Sequence, residues 1–545
     1  MSNALMSGVA GLRAHQQMLD VAGNNLANVN TYAYKASRVG FAEQLAQTLR
    51  EATQPSSTVG GTNPQQVGSG VMVASIDRGM AQGNLVNTGA PLDLAMDGQG
   101  FFVLHDGEQE VFTRVGHFEI DAGYNLVDPG TGYRVQRIGN AGVAEGFQDL
   151  GSDHIRIPYD VALPASATTR VTFNGNLSAS NVAVGTSVLT SGVNFTVLSA
   201  LCTGTTALAD LDQTSGLAAG DTITISGTDA DGTPVNTPWI LAGGETMDDL
   251  LAQVSGAFSG ATASLDGGEI RLTDDVAGYS QTDLLLSYTP AGAGTFDLPG
   301  HFEMLAAGGN EVRTTSIEVF DSYGIGHVLS VAFVRTDTPG TWDAVLLSVS
   351  GGTVAVDDRR ITGISFNQDG SFAGSADDSD FTVRFGGASQ PATTLDVDLG
   401  TIGQFDGLTQ FGGDSTAKAG SQDGYEAGYL ASVSASREGD LIGMFTNGVR
   451  CTIATVKVAV FPNPAGLESI GNNYYQSSGN SGDPVPTRAL SAGAGAITGG
   501  TLEQSNVDIA QEFVSLIQAQ NGYQANARTI RVTNDMLREL SNLIR

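Results

Sequence analysis

The feature that most constrains this chain is a seven-residue apolar period at each end. Leu5, Leu12, Leu19 and Leu26 recur at that interval, with Val9, Ala22 and Val29 filling the gaps. At the far end Ile509, Leu516, Tyr523, Ile530, Leu537 and Ile544 keep the same spacing, and Phe513, Ile517, Ala527 and Leu540 widen the stripe. Such a period draws an apolar line along a helix and marks helices that pack lengthwise on a partner. Two amphipathic helices lying on an ordinary domain would show a similar pattern. Gly8, Gly11 and Gly23 each cost the first helix about 1 kcal/mol relative to Ala. That helix therefore needs a packing partner to be stable.

Between the ends the pattern changes to strand and turn. Val71-Met72-Val73-Ala74-Ser75-Ile76 and Asp221-Thr222-Ile223-Thr224-Ile225 alternate with the two-residue period of a strand. Asp266-Gly267-Gly268, between Ser264-Leu265 and Ile270-Arg271-Leu272, predicts a hairpin. One internal helix is expected: Thr246 caps it, Asp248 and Asp249 suit its positive end, and Leu250, Leu251, Val254 and Phe258 form its stripe. Gln54 to Gly70 and Ser477 to Gly500, rich in Pro, Gly, Ser and Thr, predict linkers. The expected class is α+β, with terminal α-helices pairing as a coiled-coil-like domain and nested β-rich domains inserted between them.

Charge narrows the partners. The 57 acidic and 25 basic residues give a net charge of −32, the wrong sign for a nucleic-acid binder. The acid concentrates in the middle: from Leu201 to Gly300 there are 14 Asp or Glu and one basic residue, Arg271. No apolar run is long enough to insert in a membrane, and Met1 to Asp20 is not a cleaved secretory signal. Cys202 and Cys451 stand too far apart in sequence to suggest a framework of bridges.

Chemistry is missing from the motifs. The histidines His15, His105, His117, His154, His301 and His327 show no metal-ligand spacing. There is no Gly-x-Ser-x-Gly elbow, and Gly324-Ile325-Gly326 lacks the third glycine of a dinucleotide loop. Asp229-Ala230-Asp231-Gly232 lacks the closing Glu of a calcium loop and predicts a turn. No catalytic residue, cofactor or metal is expected.

Two terminal segments carry a resemblance. Ser7-Gly8-Val9-Ala10-Gly11-Leu12, Asn24-Asn25-Leu26-Ala27-Asn28-Val29-Asn30-Thr31 and Tyr34-Lys35 resemble the N-terminal signature of flagellar rod and hook proteins, with Ala33 where that family usually has Gly. Leu502-Glu503-Gln504-Ser505-Asn506-Val507-Asp508 and Ala519-Gln520-Asn521-Gly522-Tyr523-Gln524-Ala525-Asn526 resemble its C-terminal signature, with Asn521 in a place commonly held by Arg. Gln82-Gly83-Asn84-Leu85, Leu92-Asp93-Leu94-Ala95 and Gly98-Gln99-Gly100-Phe101-Phe102-Val103 are similar to the shared first β-domain. Asp321-Ser322-Tyr323-Gly324, Phe366-Asn367-Gln368-Asp369-Gly370, Asp423-Gly424-Tyr425-Glu426-Ala427-Gly428 and Asn463-Pro464-Ala465-Gly466-Leu467 resemble hook proteins in particular.

The resemblance implies a structural subunit of the hook, a curved hollow tube outside the cell that passes torque from rod to filament. It implies self-assembly, contact with the rod, the hook cap and hook–filament junction proteins, and export by the type III apparatus without a cleaved signal. It implies no nucleic acid and no membrane insertion. The assembly interface expected on this basis is Leu5, Leu12, Leu19, Asn24, Asn25, Leu26 and Asn28 with Ile509, Leu516, Tyr523, Ile530, Leu537 and Ile544. The asparagines would serve equally well as caps and turns. The expected domains are 1–30 with 503–545 (helical assembly), 31–75 with 485–502 (linker), 76–150 with 395–484 (inner β) and 151–184 with 299–394 (middle β). Residues 185–298 form a variable outer acidic domain. A distal rod protein shares both end signatures, and a secreted β-rich adhesin or hydrolase with helical ends is an alternative of another class.

Overall fold

The computed structural model describes residues 2–180, 184–351, 353–386 and 391–543, so Ile544 lies outside the described residues. The described chain is mostly β, with three α-helices: α1 (Ser2–Ala27), α2 (Met247–Ala257) and α3 (Ile509–Leu543). The chain divides into two compact units, one of Met1–Leu163 with Gly428–Arg545, the other of Pro164–Ala427.

The first unit interleaves the two ends of the chain. Thr501–Glu503 pairs antiparallel with Leu85–Asn87, and Ala496–Gly499 with Leu94–Asp97. A nine-stranded sheet likewise draws strands from both ends, with Val458–Val460 beside Phe101–His105. Phe101, Val103, Phe112, Phe461, Leu467 and Tyr475 form a core beneath it. The stretches expected as linkers contain paired strands. Ser37–Glu43 runs antiparallel to Val71–Arg78, and Ala46–Arg50 to Gln65–Gly68, making a two-stranded ribbon. Most residues of its outer part are exposed on both faces, which removes the polar/apolar alternation by which a strand is recognised.

In the second unit an antiparallel five-stranded sheet, starting with Val312–Phe320 and Gly326–Arg335, shares a core with a six-stranded sheet that includes Arg170–Ser178 and Asp380–Phe385. Phe173, Phe333, Trp342, Phe381 and Leu395 sit in that core. A second core gathers the acidic segment around α2, whose Thr246–Asp249 capping box closes its first turn. This core runs past residue 298: Phe302, Met304 and Ala307 belong to it, as do Ala332, Val334, Val345 and Leu347 of the five-stranded sheet. The expected hairpin forms with Asp266 opposite Glu269, and Gly267 and Gly268 supply the positive φ of 60° and 86° that its turn requires. Asp229 accepts the Gly232 N–H at its carbonyl, so Asp229–Gly232 is a turn.

The carboxylates of the acidic segment are largely committed to holding loops. Asp221 accepts the Tyr288 hydroxyl and the Ala218 and Ala291 N–H groups, while Asp212 accepts those of Leu198 and Ser199. Hydrogen bonds, from the Tyr288 hydroxyl for Asp221 and from backbone for Asp212, hold both below the ordinary carboxylate range. Burial, then the bond to Asp221, pushes Tyr288 up to about 12.

One histidine in this unit yields a prediction. Burial first, then the Arg359 guanidinium, lowers His301 to about 4, and its Nε2 has no hydrogen-bond partner. An unfolded histidine titrates near ~6.5, so the unfolded chain binds the proton more readily. The stability at this site is intact above that value, declines as pH falls through the window, and is fully lost below about 4. The decline should amount to about 1–3 kcal/mol after allowance for solvent. Denaturant midpoints of the wild type and His301→Gln, measured between these pH values, should diverge by that amount.

Candidate assembly surface

Helix α1 packs along α3, and at three points glycines make room for the approach of larger side chains from the other helix. A Cβ added to Gly8 would lie 3.1 Å from Ile530 Cγ1, and one added to Gly11 2.6 Å from the Asn526 side chain. On α3, a Cβ on Gly522 would lie 2.5 Å from the His15 ring. Ala14, Ala22 and Ala519 are buried on the same pair of helices. The glycines that weaken α1 as an isolated helix therefore let the two backbones approach.

The expected interface residues take different positions around this seam. Leu5, Leu12, Leu19 and Leu26 of α1, and Leu516 and Ile530 of α3, are half-buried. Ile509, Tyr523 and Leu537 are exposed. So are Met6 and Val9 on α1 and Val514, Val532 and Leu540 on α3, while Phe513, Ile517 and Met536 are 51%, 57% and 58% exposed. A helix pair that leaves this many large apolar side chains exposed offers an interaction surface.

The asparagines differ among themselves. Asn25 is buried and all of its side-chain capacity is used within the chain. Its amide donates to Ser37 O at 2.7 Å and Glu512 Oε1 at 3.0 Å, and its oxygen accepts from Ser37 N and the Tyr34 hydroxyl. Asn28 donates to Asn24 O and accepts from the Thr31 hydroxyl, closing the end of α1. Asn24, exposed, donates to the Tyr34 hydroxyl. Asn25→Ala should cost about 1–3 kcal/mol, because it strands the half-buried Ser37 and Glu512 groups. The loss should appear as a lower unfolding midpoint.

Sequence reasoning missed the charged cluster at Lys35 and Glu503. Lys35 Nζ lies 2.6 Å from Glu503 Oε1, and the two side chains are 1% and 0% exposed. Lys35 also donates to Ala81 O, and the Gly83 N–H donates to Glu503 Oε1. Burial pulls the Lys35 ammonium below its ordinary value, and Glu503 opposes that pull. Lys35 and Glu503 each stand in one of the terminal signatures, but a separation of 468 residues hides the pairing. Ala33, where the resembled family usually has Gly, takes the left-handed φ of 56° and donates its N–H to Glu503 O. Among the described residues no three His, Cys, Asp or Glu side chains are grouped to hold a metal ion, and no helix is long and apolar enough to cross a membrane.

Four family signatures match the chain. Residues 5–35 match "Flagella basal body rod protein", and 95–179 match "Flagellar hook protein FlgE/F/G D1 domain". Residues 296–425 match "Flagellar basal body protein FlaE D2 domain", and 498–543 match "Flagellar basal body rod FlgEFG protein C-terminal". The flagellar hook protein FlgE of Treponema pallidum (strain Nichols) is 32% identical over 100% of both chains. Those of Borreliella burgdorferi and Escherichia coli K12 are 29% and 26% identical, over 100% and 99% of this chain and 100% of each relative. A crystal structure of Helicobacter pylori flagellar hook protein FlgE2 aligns with a TM-score of 0.44 at 17% identity, over 77% of this chain and 100% of that one.

Proposed function

This chain belongs to the flagellar hook protein family, and on that premise we propose how its parts build a hook. It is a structural subunit of the bacterial flagellar hook, in a family of structural proteins rather than enzymes. Subunits assemble through their terminal helices into a curved hollow tube that transmits torque from rod to filament. The observation that carries this reading is the apolar surface left on α1 and α3 after they have packed on each other, with Phe513, Ile517 and Met536 more than half exposed. Neighbouring copies cover it, and each fully buried Leu, Ile, Phe or Met contributes about 1.5–3 kcal/mol.

Within that surface the half-buried Leu5, Leu12, Leu19, Leu26, Leu516 and Ile530 join the exposed Ile509, Tyr523 and Leu537 as contacts between subunits. Asn24, exposed and with bonding capacity left beside its bonds to Tyr34 and Asn28, reaches a neighbour, whereas Asn25 and Asn28 shape the subunit itself. The nested β-regions form the body of the wall, and the acidic segment faces solvent, where water and salt screen its carboxylates. The subunit leaves the cell by type III export, meets the hook cap as it adds to the tube, and joins the rod at one end and the junction proteins at the other.

Electron microscopy of the purified chain at raised concentration and salt tests the reading. Tubes are expected. A chain that stays dispersed under all such conditions, and leaves a hookless cell hookless when supplied in it, would overturn it.

A further inference from the structure

We infer that Lys35, Arg114 and Glu503 form a buried joint that positions the terminal helix pair on the β-body of its own subunit, and that hook assembly depends on this positioning. The inference rests on the hook reading above. Glu503 ends the strand Thr501–Glu503, just before α3, and Lys35 follows α1. The exit of one helix thus crosses the approach to the other at Glu503, where the Ala33 N–H donates to Glu503 O at 2.8 Å. Both segments are tied to the body there. Lys35 Nζ reaches Ala81 O at 2.8 Å, and Gly83 N–H reaches Glu503 Oε1 at 2.8 Å. The third member comes from the β-sheet region. Arg114 lies 3.6 Å from Glu503 Oε2, donates to Gly98 O at 2.8 Å and sits over the Phe101 ring. Asn506 completes the bracket by accepting the Ala36 N–H and donating to Gly79 O and Ala81 O.

Three buried charges are a poor means of gaining stability. Their desolvation offsets much of their attraction, and well-packed apolar side chains of similar size often serve as well or better. They do impose direction: Glu503 Oε1 accepts from Lys35 and the Gly83 N–H, while the Arg114 guanidinium faces Oε2 at 3.6 Å without a hydrogen bond, and few geometries bring both cations to one carboxylate. An apolar plug would let the helix pair settle at several angles. In a tube every subunit must present its helices at the same angle, so a spread of angles stops regular addition.

The test compares hooks with stability. Cells lacking their own hook subunit would receive the unmodified chain, Lys35→Arg, Glu503→Gln, or the combination Lys35→Met, Arg114→Met, Glu503→Leu. Hooks are counted by electron microscopy, and unfolding midpoints are measured on the purified full chains. The triple apolar chain should unfold within a few degrees of wild type yet give hooks reduced about tenfold or more, while Lys35→Arg retains them. Normal hooks from the triple chain would overturn the inference. So would hook loss that simply follows the unfolding midpoint across all variants, since the cluster would then serve stability alone. If the unmodified chain makes no hooks, the hook reading itself falls.

Discussion

Ile530→Asp is expected to abolish hooks while leaving export of the subunit intact. Ile530 lies on α3 against Gly8 of α1, so close that a Cβ on Gly8 would be 3.1 Å from Ile530 Cγ1. A carboxylate placed there enters the seam between two helices without a partner of opposite charge. The cost is about 2–5 kcal/mol for one subunit, the range for a partly buried unpaired charge. The same cost recurs at every added subunit, so growth should fail at the first ring. Leu19→Asp, on the half-buried α1 stripe proposed to lie between subunits, should behave alike. Gln524→Asp, exposed on α3, is the control and should leave hooks unchanged. Microscopy of the cells, with immunoblots of exported protein, separates failed assembly from failed export. Hooks of normal number on Ile530→Asp cells would contradict the placement of this seam.

The terminal helices were legible because a seven-residue period survives without any knowledge of the partner. The line on which they meet was not. Gly8, Gly11 and Gly522 weigh against a helix in any local account, and only the second helix shows that a missing Cβ is what brings the backbones together. α2 was legible down to its cap, because Thr246 and Asp249 satisfy each other within one turn. Val71–Ile76 was legible as a strand from its alternation, but the outer part of the ribbon, Ala46–Arg50 with Gln65–Gly68, hid as a linker, since a strand wet on both faces has no buried side to set an alternation. Lys35 and Glu503 were visible as members of two signatures but not as a pair, because ion pairing between distant segments leaves no local pattern. Asn25 was visible as a polar residue near a helix end; its four hydrogen bonds depend on Ser37, Tyr34 and Glu512 arriving together.

Removing all of Pro164–Ala427 should harm the subunit less than removing residues 185–298 alone. The larger excision follows a division of the fold. Leu163 and Gly428 exchange two backbone hydrogen bonds, Leu163 N to Gly428 O at 2.7 Å and Gly428 N to Leu163 O at 3.1 Å. The chain therefore leaves the first unit and returns to it at one point, and a short Gly-Ser link can close the gap. The core made by Phe101, Val103, Phe112, Phe461 and Tyr475 is drawn from residues that stay. The smaller excision cuts through a core. Leu189, Phe195, Leu250, Val254 and Leu272 would go, leaving Ala332, Val334, Val345, Leu347, Phe302 and Met304 uncovered. Each large apolar side chain so exposed forfeits about 1.5–3 kcal/mol, and together they form a patch that invites aggregation. The larger excision should give soluble subunits that still build tubes, with changed curvature or stiffness. The smaller one should give little soluble protein and few hooks. Both chains can be compared by soluble yield, unfolding midpoint and microscopy of hooks. The reverse order, a stable 185–298 excision beside an unfolded 164–427 excision, would show that the acidic segment is closed on itself and that the first unit depends on the second for its fold.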